Sequence, residues 1–329
     1  MIALEDIITC KSYHNLCDFR YDAPPEGNLD DIPPTGTVHV PLDQIENFFQ
    51  RIEGNGHRYV VVSSCSDFGL ALQQEHPVWK DMVKWMEMQI GPRLGYHNLE
   101  EQPTRCTTKL CNLNDAYSVK CHAYTRATFH HIPDNVHHWF VTNLMIKNNT
   151  HMTALPFGIA EGKAELLHGL LKSNDESKRT NNTYISWQDY TYERYQLRKE
   201  LETHPGFTVR DPQKADSYFE YLQHLGTHGY VVSPPGNGCD CYRTLEAIYM
   251  GAVVLVENTV TNRLLGLPTL RYTSQQDVLE WTKQKPSFHI PIENRLLNDK
   301  NRHSVVGDAN KTKLSYWKER FLEKRGEIL

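Results

Sequence analysis

The segment that most constrains this chain is residues 230–258, YVVSPPGNGCDCYRTLEAIYMGAVVLVEN. An apolar run from Tyr230 to Val232 breaks into a Pro-Pro-Gly loop, a helix-length stretch ends at Gly251, and a second apolar run covers Ala252 to Val256. Strand, glycine-rich loop, helix and strand make one βαβ unit, whose two strands lie parallel because the helix carries the chain back to the starting edge. The unbroken Val-rich runs predict strands buried on both faces. The fold class is therefore α/β.

The loop also has chemistry. Gly236 and Gly238 leave room for backbone to approach a ligand, and Asp240 is placed to cap the helix, so free N–H groups and a positive dipole end face the loop. That arrangement suits an anion. Arg243 and Glu246 lie three residues apart on one helix face, where a guanidinium could meet a diphosphate and a carboxylate could meet ribose hydroxyls. An ordinary surface ion pair beside a packing loop is the plainer alternative. Two common nucleotide motifs are absent: no Gly-Lys-Ser or Gly-Lys-Thr closes the loop, and no third glycine completes Gly-x-Gly-x-x-Gly.

Around this unit the chain reads as alternating strands and helices. The first 60 or so residues are loops around short strands, broken at Pro24-Pro25 and Pro33-Pro34. Tyr59 to Val62 is a buried strand that runs into a polar loop ending at Asp67. Residues 75–90 carry Val78, Met82, Trp85, Met86 and Ile90 at helical spacing. The stretch from Asn135 predicts a helix, then a strand, then an exit at Pro156 and Gly158. Residues 160–182 turn polar and mark a boundary. Beyond it come a strand at 183–187, a helix at 192–203, a strand at 207–209 and a helix at 216–225, the alternation of a parallel sheet. Residues 311–329 form a closing amphipathic helix.

With 329 residues, more than one core is expected. The division predicted is 1–165, 166–310 and the helix 311–329. A balance of 35 Lys plus Arg against 40 Asp plus Glu gives a net charge of -5, the wrong sign for a protein that neutralises nucleic-acid phosphates. No apolar run is long enough to span a membrane, and Met-Ile-Ala-Leu-Glu-Asp has acids where a signal peptide has bases, so a cytoplasmic protein with reduced cysteines is expected. The sequons at Asn148, Asn181 and Asn310 then carry no sugar. His130, His131, His137 and His138 with Cys106, Cys111 and Cys121 lack the paired spacing of a zinc site, so no metal is expected.

The string SPPGNGCDCYRTLEAIYMGAVVLVEN resembles the donor-binding motif of exostosin-like (family 47) glycosyltransferases. That motif has a Ser-Pro-x-Gly loop, then Asp-x-x-Arg-x-x-Glu-Ala, then Gly and a Val-rich strand. It is especially similar to the short xylosyltransferases of large algal viruses. The strand ending at Asp67, Trp139 to Asn143 followed by Leu155 to Ile159, and Glu193-Arg194 agree more loosely. Before residue 57 nothing matches.

The resemblance implies the GT-B architecture, two Rossmann-like domains facing across a cleft. It implies a donor site of Ser233, Gly236, Asn237, Gly238, Asp240, Tyr242, Arg243 and Glu246, with Arg194. Arg194 and Arg198, four apart on one helix, put a cation within reach of the diphosphate or line a solvated face. The expected activity is inverting, metal-independent transfer of a sugar, xylose by best match, from a UDP-sugar to a glycan hydroxyl. No cofactor is expected, and no Asp-x-Asp occurs to hold a cation. Asp67 is the expected general base, ahead of Glu161, Asp22, His57 and His97. Tyr184, Trp187, Tyr190, Tyr192 and Tyr195 could stack on a base or sugar, or fill core. A GDP-sugar donor, or a sugar-nucleotide or glycan-binding module without catalysis, are the alternatives.

Overall fold

The computed structural model describes residues 2–64, 69–72, 125–129, 131–146, 150–174, 178–187, 192–210, 217–236, 238–283 and 307–329. They form two five-stranded sheets in which every neighbouring pair is parallel. In the first, β1 (Phe19–Arg20), β2 (Gly36–His39), β3 (Tyr59–Ser63), β6 (Val136–Thr142) and β7 (Met152–Leu155) lie side by side in chain order. Between β3 and β6 the chain makes a separate parallel pair, β4 (Gly69–Leu72) with β5 (Thr125–Phe129). The second sheet holds β8 (Thr180–Ile185), β9 (Phe207–Val209), β10 (His228–Ser233), β11 (Val253–Glu257) and β12 (Leu270–Tyr272) in the order β12-β11-β10-β8-β9. The chain is α/β, with two parallel sheets.

The centre of the first sheet follows from its composition. Val61 of β3 sits between Val38 of β2 and Trp139 of β6, and a strand with neighbours and cover on all sides must be apolar at every position. Residues 136–142 form a strand here, where a helix was expected from the sequence. The run VHHWFVT is β-branched and aromatic with no helical period, and the open edge of β3 supplies its backbone partners. The Trp139 indole N–H donates to Ser63 Oγ at 3.0 Å, which satisfies the polar atom of a fully buried ring. Helix α1 (Ile45–Ile52) lays Ile45, Phe48, Phe49 and Ile52 on the sheet, with the Phe49 ring edge-on to Trp139 at 5.2 Å.

The second sheet is covered on both faces. Alternate residues of a strand face opposite ways. Val231 and Val254 share a core with Leu222 and Leu225 of α4 (Tyr218–Thr227) and Leu245 and Ile248 of α5 (Tyr242–Tyr249). Tyr230, Val232, Val253 and Leu255 join instead Leu197 and Leu201 of α3 (Tyr192–Leu201) and Val278 of α7 (Gln275–Lys283). This is a doubly wound sheet. Helix α2 (Ala164–Ser173) joins the two sheets, and α6 (Val260–Leu265) links β11 to β12.

The last helix, α8 (Leu314–Gly326), returns to the first sheet. Phe321 lies with its ring 4.5 Å from Phe140 and 6.1 Å from Tyr13. The buried Tyr249 hydroxyl donates to Thr312 O at 2.8 Å and accepts the Ile8 N–H at 3.0 Å, so one side chain of α5 holds the approach to α8 and the start of the chain together. Among the described residues, no helix is long and apolar enough to cross a membrane.

Candidate active site

In parallel sheets, ligands bind beyond the carboxyl ends of the strands, at the point where the strand order reverses. In the order β9-β8-β10-β11-β12 the chain passes from β8 outward to β9 and then back across to β10, so the reversal lies between β8 and β10. Their carboxyl ends are Ile185-Ser186-Trp187 and Ser233-Pro234-Pro235-Gly236. The glycine-rich loop therefore stands at the switch point, a coincidence that local sequence patterning does not require.

Arg194 braces this loop from below. Its guanidinium is buried, with Nε donating to Pro235 O at 2.7 Å and Nη2 to Pro234 O at 3.3 Å. Its own carbonyl accepts the Trp187 indole N–H at 3.1 Å. These bonds place Arg194 under the backbone as a support, where the sequence suggested a diphosphate ligand. They also explain Gly236: a Cβ there would lie 2.9 Å from Arg194 Nη2. Gly236 N–H donates to Gly238 O at 2.9 Å.

Asp240 differs from its expected role. The N-cap of α5 is Cys241, one residue later. The Asp240 carboxylate accepts the Cys241 N–H at 2.9 Å and, from the first half of the chain, the Phe157 N–H at 2.8 Å. Its backbone N–H donates to Asn143 Oδ1 at 2.8 Å. Asn143 follows β6 in the left-handed region, φ 54, which Asn tolerates better than most residues, and Phe157 follows β7. The carboxyl edges of both sheets thus converge on one carboxylate. Burial pushes the Asp240 carboxyl up to about 6, against the pull of the Phe157 N–H, the Thr244 hydroxyl and the Cys241 N–H. Ser233 is buried and its Oγ lies 3.1 Å from Thr244 Oγ1 and 3.3 Å from Cys241 Sγ, joining the end of β10 to the start of α5. Tyr242, half-buried, packs on Phe157 with ring centroids 4.8 Å apart.

Arg243 and Glu246 have different surroundings. Glu246 is buried and each carboxylate oxygen accepts a tyrosine hydroxyl, Tyr218 at 2.7 Å and Tyr221 at 2.8 Å. Burial raises its pKa, and the two hydroxyls and Arg243 oppose the rise. Neither tyrosine was singled out from the sequence. Their signal is that a carboxylate inside a βαβ helix needs donors, and Tyr218 and Tyr221 stand three apart on the preceding helix. Arg243 carries no such set of bonds. Its Nη1 reaches only Cys241 Sγ, at 3.8 Å, and its Nε is buried with no partner among the described residues. A half-buried guanidinium left this way at a switch point is suited to take an anion.

The remaining candidates scatter. Asp67, His97 and Asn237, the predicted helix at 75–90, Tyr190, and the cysteines 106, 111 and 121 with His130 lie outside the described residues. His57 precedes β3 and so stands at the amino end of the sheet, away from the edge where ligands meet it. Glu161 is exposed in a turn after β7. Asp22 is buried and paired with His39 at 3.0 Å. His131 pairs with Glu53, His137 with Glu327 and His138 with Thr153, so these histidines form no common site. Tyr184 and Trp187 are core, and Arg198 pairs with Glu202 at 2.9 Å. Scans against protein-family models and against curated proteins find no match to this chain.

Proposed function

We propose that the chain is a GT-B glycosyltransferase that moves a sugar, xylose by best match, from a UDP-sugar to a glycan hydroxyl with inversion. The observation that carries this reading is the Arg243 guanidinium, buried at Nε without a partner among the described residues, in the first turn of the helix that opens at the switch point. Arg243 and the N-terminal end of α5 take the diphosphate, and Glu246, held rigid by Tyr218 and Tyr221, takes ribose hydroxyls. As the acceptor oxygen bonds to the anomeric carbon, its proton passes to Asp67 and the bond to the diphosphate breaks, leaving UDP with the electron pair. The cationic side chain and the helix end stabilise that leaving charge, so the mechanism needs no divalent ion there.

The test is a thermal-shift and calorimetric screen of the full chain with UDP-, GDP- and dTDP-sugars, followed by turnover of any binder. A ligand that binds only the folded state raises the melting temperature. UDP-xylose is expected to bind, and Arg243→Ala to weaken it by about 1.5–3 kcal/mol, the range for a hydrogen bond to a charged group. Binding of no nucleotide sugar would overturn the proposal. Binding without transfer to any acceptor would leave a sugar-nucleotide-binding module. A preference for GDP-sugars would keep the architecture and change the donor.

A further inference from the structure

Far from the switch point in sequence, the first 40 residues bring together His14, Asp22 and His39, all buried. Each comes from a different short element: His14 from the 3-10 turn Ser12–Leu16, Asp22 from the loop after β1, and His39 from the last position of β2. The two imidazoles touch, with ring centroids 3.8 Å apart and planes at 44°. His39 Nδ1 lies 3.0 Å from Asp22 Oδ2, and His39 Nε2 lies 3.2 Å from Ser64 Oγ. One ligand atom from each of the three residues falls within 4.8 Å of the others.

From this geometry we infer a binding site for a zinc-class divalent cation, with His14, Asp22 and His39 as its protein ligands. Two imidazoles and one carboxylate form the donor set of zinc and its neighbours; magnesium and calcium prefer oxygen alone. Ligands about 2.0 Å from a tetrahedral ion stand about 3.3 Å apart, close to the spacing of His39 Nδ1 and Asp22 Oδ2. Bound through Nδ1, His39 keeps Nε2–H to donate to Ser64, the outer contact that fixes tautomer and ring orientation in metal-bound histidines. Three protein ligands leave a fourth position for water.

The site would pin a 3-10 turn to β1 and β2, in a part of the chain whose described elements before α1 are 3-10 turns and two short strands. Such a cation stabilises the fold, and none of its three ligands is among the groups assigned to the diphosphate, so the inference does not depend on the proposed glycosyl transfer.

The experiment is a titration of the full-length chain, stripped with a chelator, with Zn²⁺ and with Co²⁺. One equivalent of Zn²⁺ is expected to bind and raise the melting temperature, and Co²⁺ to give the visible absorption of a four-coordinate nitrogen and oxygen site. His14→Gln should weaken Zn²⁺ by at least about 100-fold, and Ser64→Ala, which removes only the outer contact, by about 10-fold. Failure to take up Zn²⁺, or wild-type affinity in His14→Gln, would overturn the inference. If His14→Gln does not fold, X-ray absorption of the zinc-loaded wild type decides: nitrogen and oxygen at about 2.0 Å with outer scattering from two imidazoles supports the site, and any sulfur places the ion at cysteines and refutes it.

Discussion

Asp240 holds two halves of the molecule together, and the physics of its burial says that it does so at a loss of stability. The carboxyl is 3% exposed, and its pKa is raised from the ordinary 3.8 to about 6. A carboxyl whose folded pKa lies above its unfolded one favours folding most when protonated. Its contribution is complete below about pH 3.8 and is lost as the pH rises through about 6. Two pKa units at about 1.4 kcal/mol each put that loss at about 3 kcal/mol. Asn has the shape of the protonated acid, with one carbonyl oxygen to accept an N–H and no charge to desolvate. Asp240→Asn is therefore expected to match wild type near pH 4 and to exceed it at pH 7.5 by up to about 3 kcal/mol. At about 2.1 cal/mol/K of unfolding entropy per residue, that is about 4 °C for 329 residues.

Urea denaturation of both proteins at pH steps between about 4.5 and 7.5 reads this directly, because the gap between them should open across the titration of one group. The variant must also lose something. An amide accepts only one of the Phe157 and Cys241 N–H groups and turns its own N–H₂ on the other, so nucleotide-sugar affinity is expected to fall while stability rises, the usual cost of a strained site. An Asp240→Asn protein less stable than wild type at pH 7.5 would refute the reasoning. It would mean that the two backbone bonds outweigh the desolvation of the charge.

Three further perturbations test the packing around the site. Gly158→Ala places a Cβ 2.7 Å from the Thr9 carbonyl carbon at a residue with φ +88, and should destabilise by more than about 3 kcal/mol in urea, since neither backbone can give way. Phe321→Ala empties the contact of α8 with Phe140 and Tyr13 and should cost about 3–5 kcal/mol by the same assay. Tyr221→Phe leaves one Glu246 oxygen without its 2.8 Å donor and should cost about 1.5–3 kcal/mol, and Glu246 should then protonate at higher pH, visible by carboxyl-resolved NMR.

Continuous apolar runs announced the strands that lie inside sheets: Tyr59 to Val62, Tyr230 to Val232 and Ala252 to Val256 all read correctly because full burial leaves no polar face to interrupt them. The same logic explains why residues 136–142 were misread. VHHWFVT is short, and a short apolar run does not distinguish a strand from a buried helix; the open edge of β3, 75 residues or so earlier in the chain, decides it.

The site was legible where its chemistry is local and illegible where it is long-range. Glycines, a helix start and an Arg and Glu three apart fall within one 29-residue stretch, so spacing alone brings them to one helix face. The partners that settle what each group is able to do come from elsewhere. Asp240 is read locally as a cap, yet its bonds to Asn143 and Phe157 span 97 and 83 residues, and they turn it into a clasp. Arg194 is read locally as a cation on a helix face, yet Pro234 and Pro235, 40 and 41 residues on, absorb its guanidinium. The tyrosines fix the Glu246 carboxylate from 28 and 25 residues away, each taking one lone pair of an oxygen that has two. What separates Arg243 from these is that among the described residues only a thiol 3.8 Å away bonds its guanidinium, which leaves it the group there best able to meet a bound anion. A site defined by spacing lists every charged group near a loop; the fold sorts them by what their neighbours have already claimed.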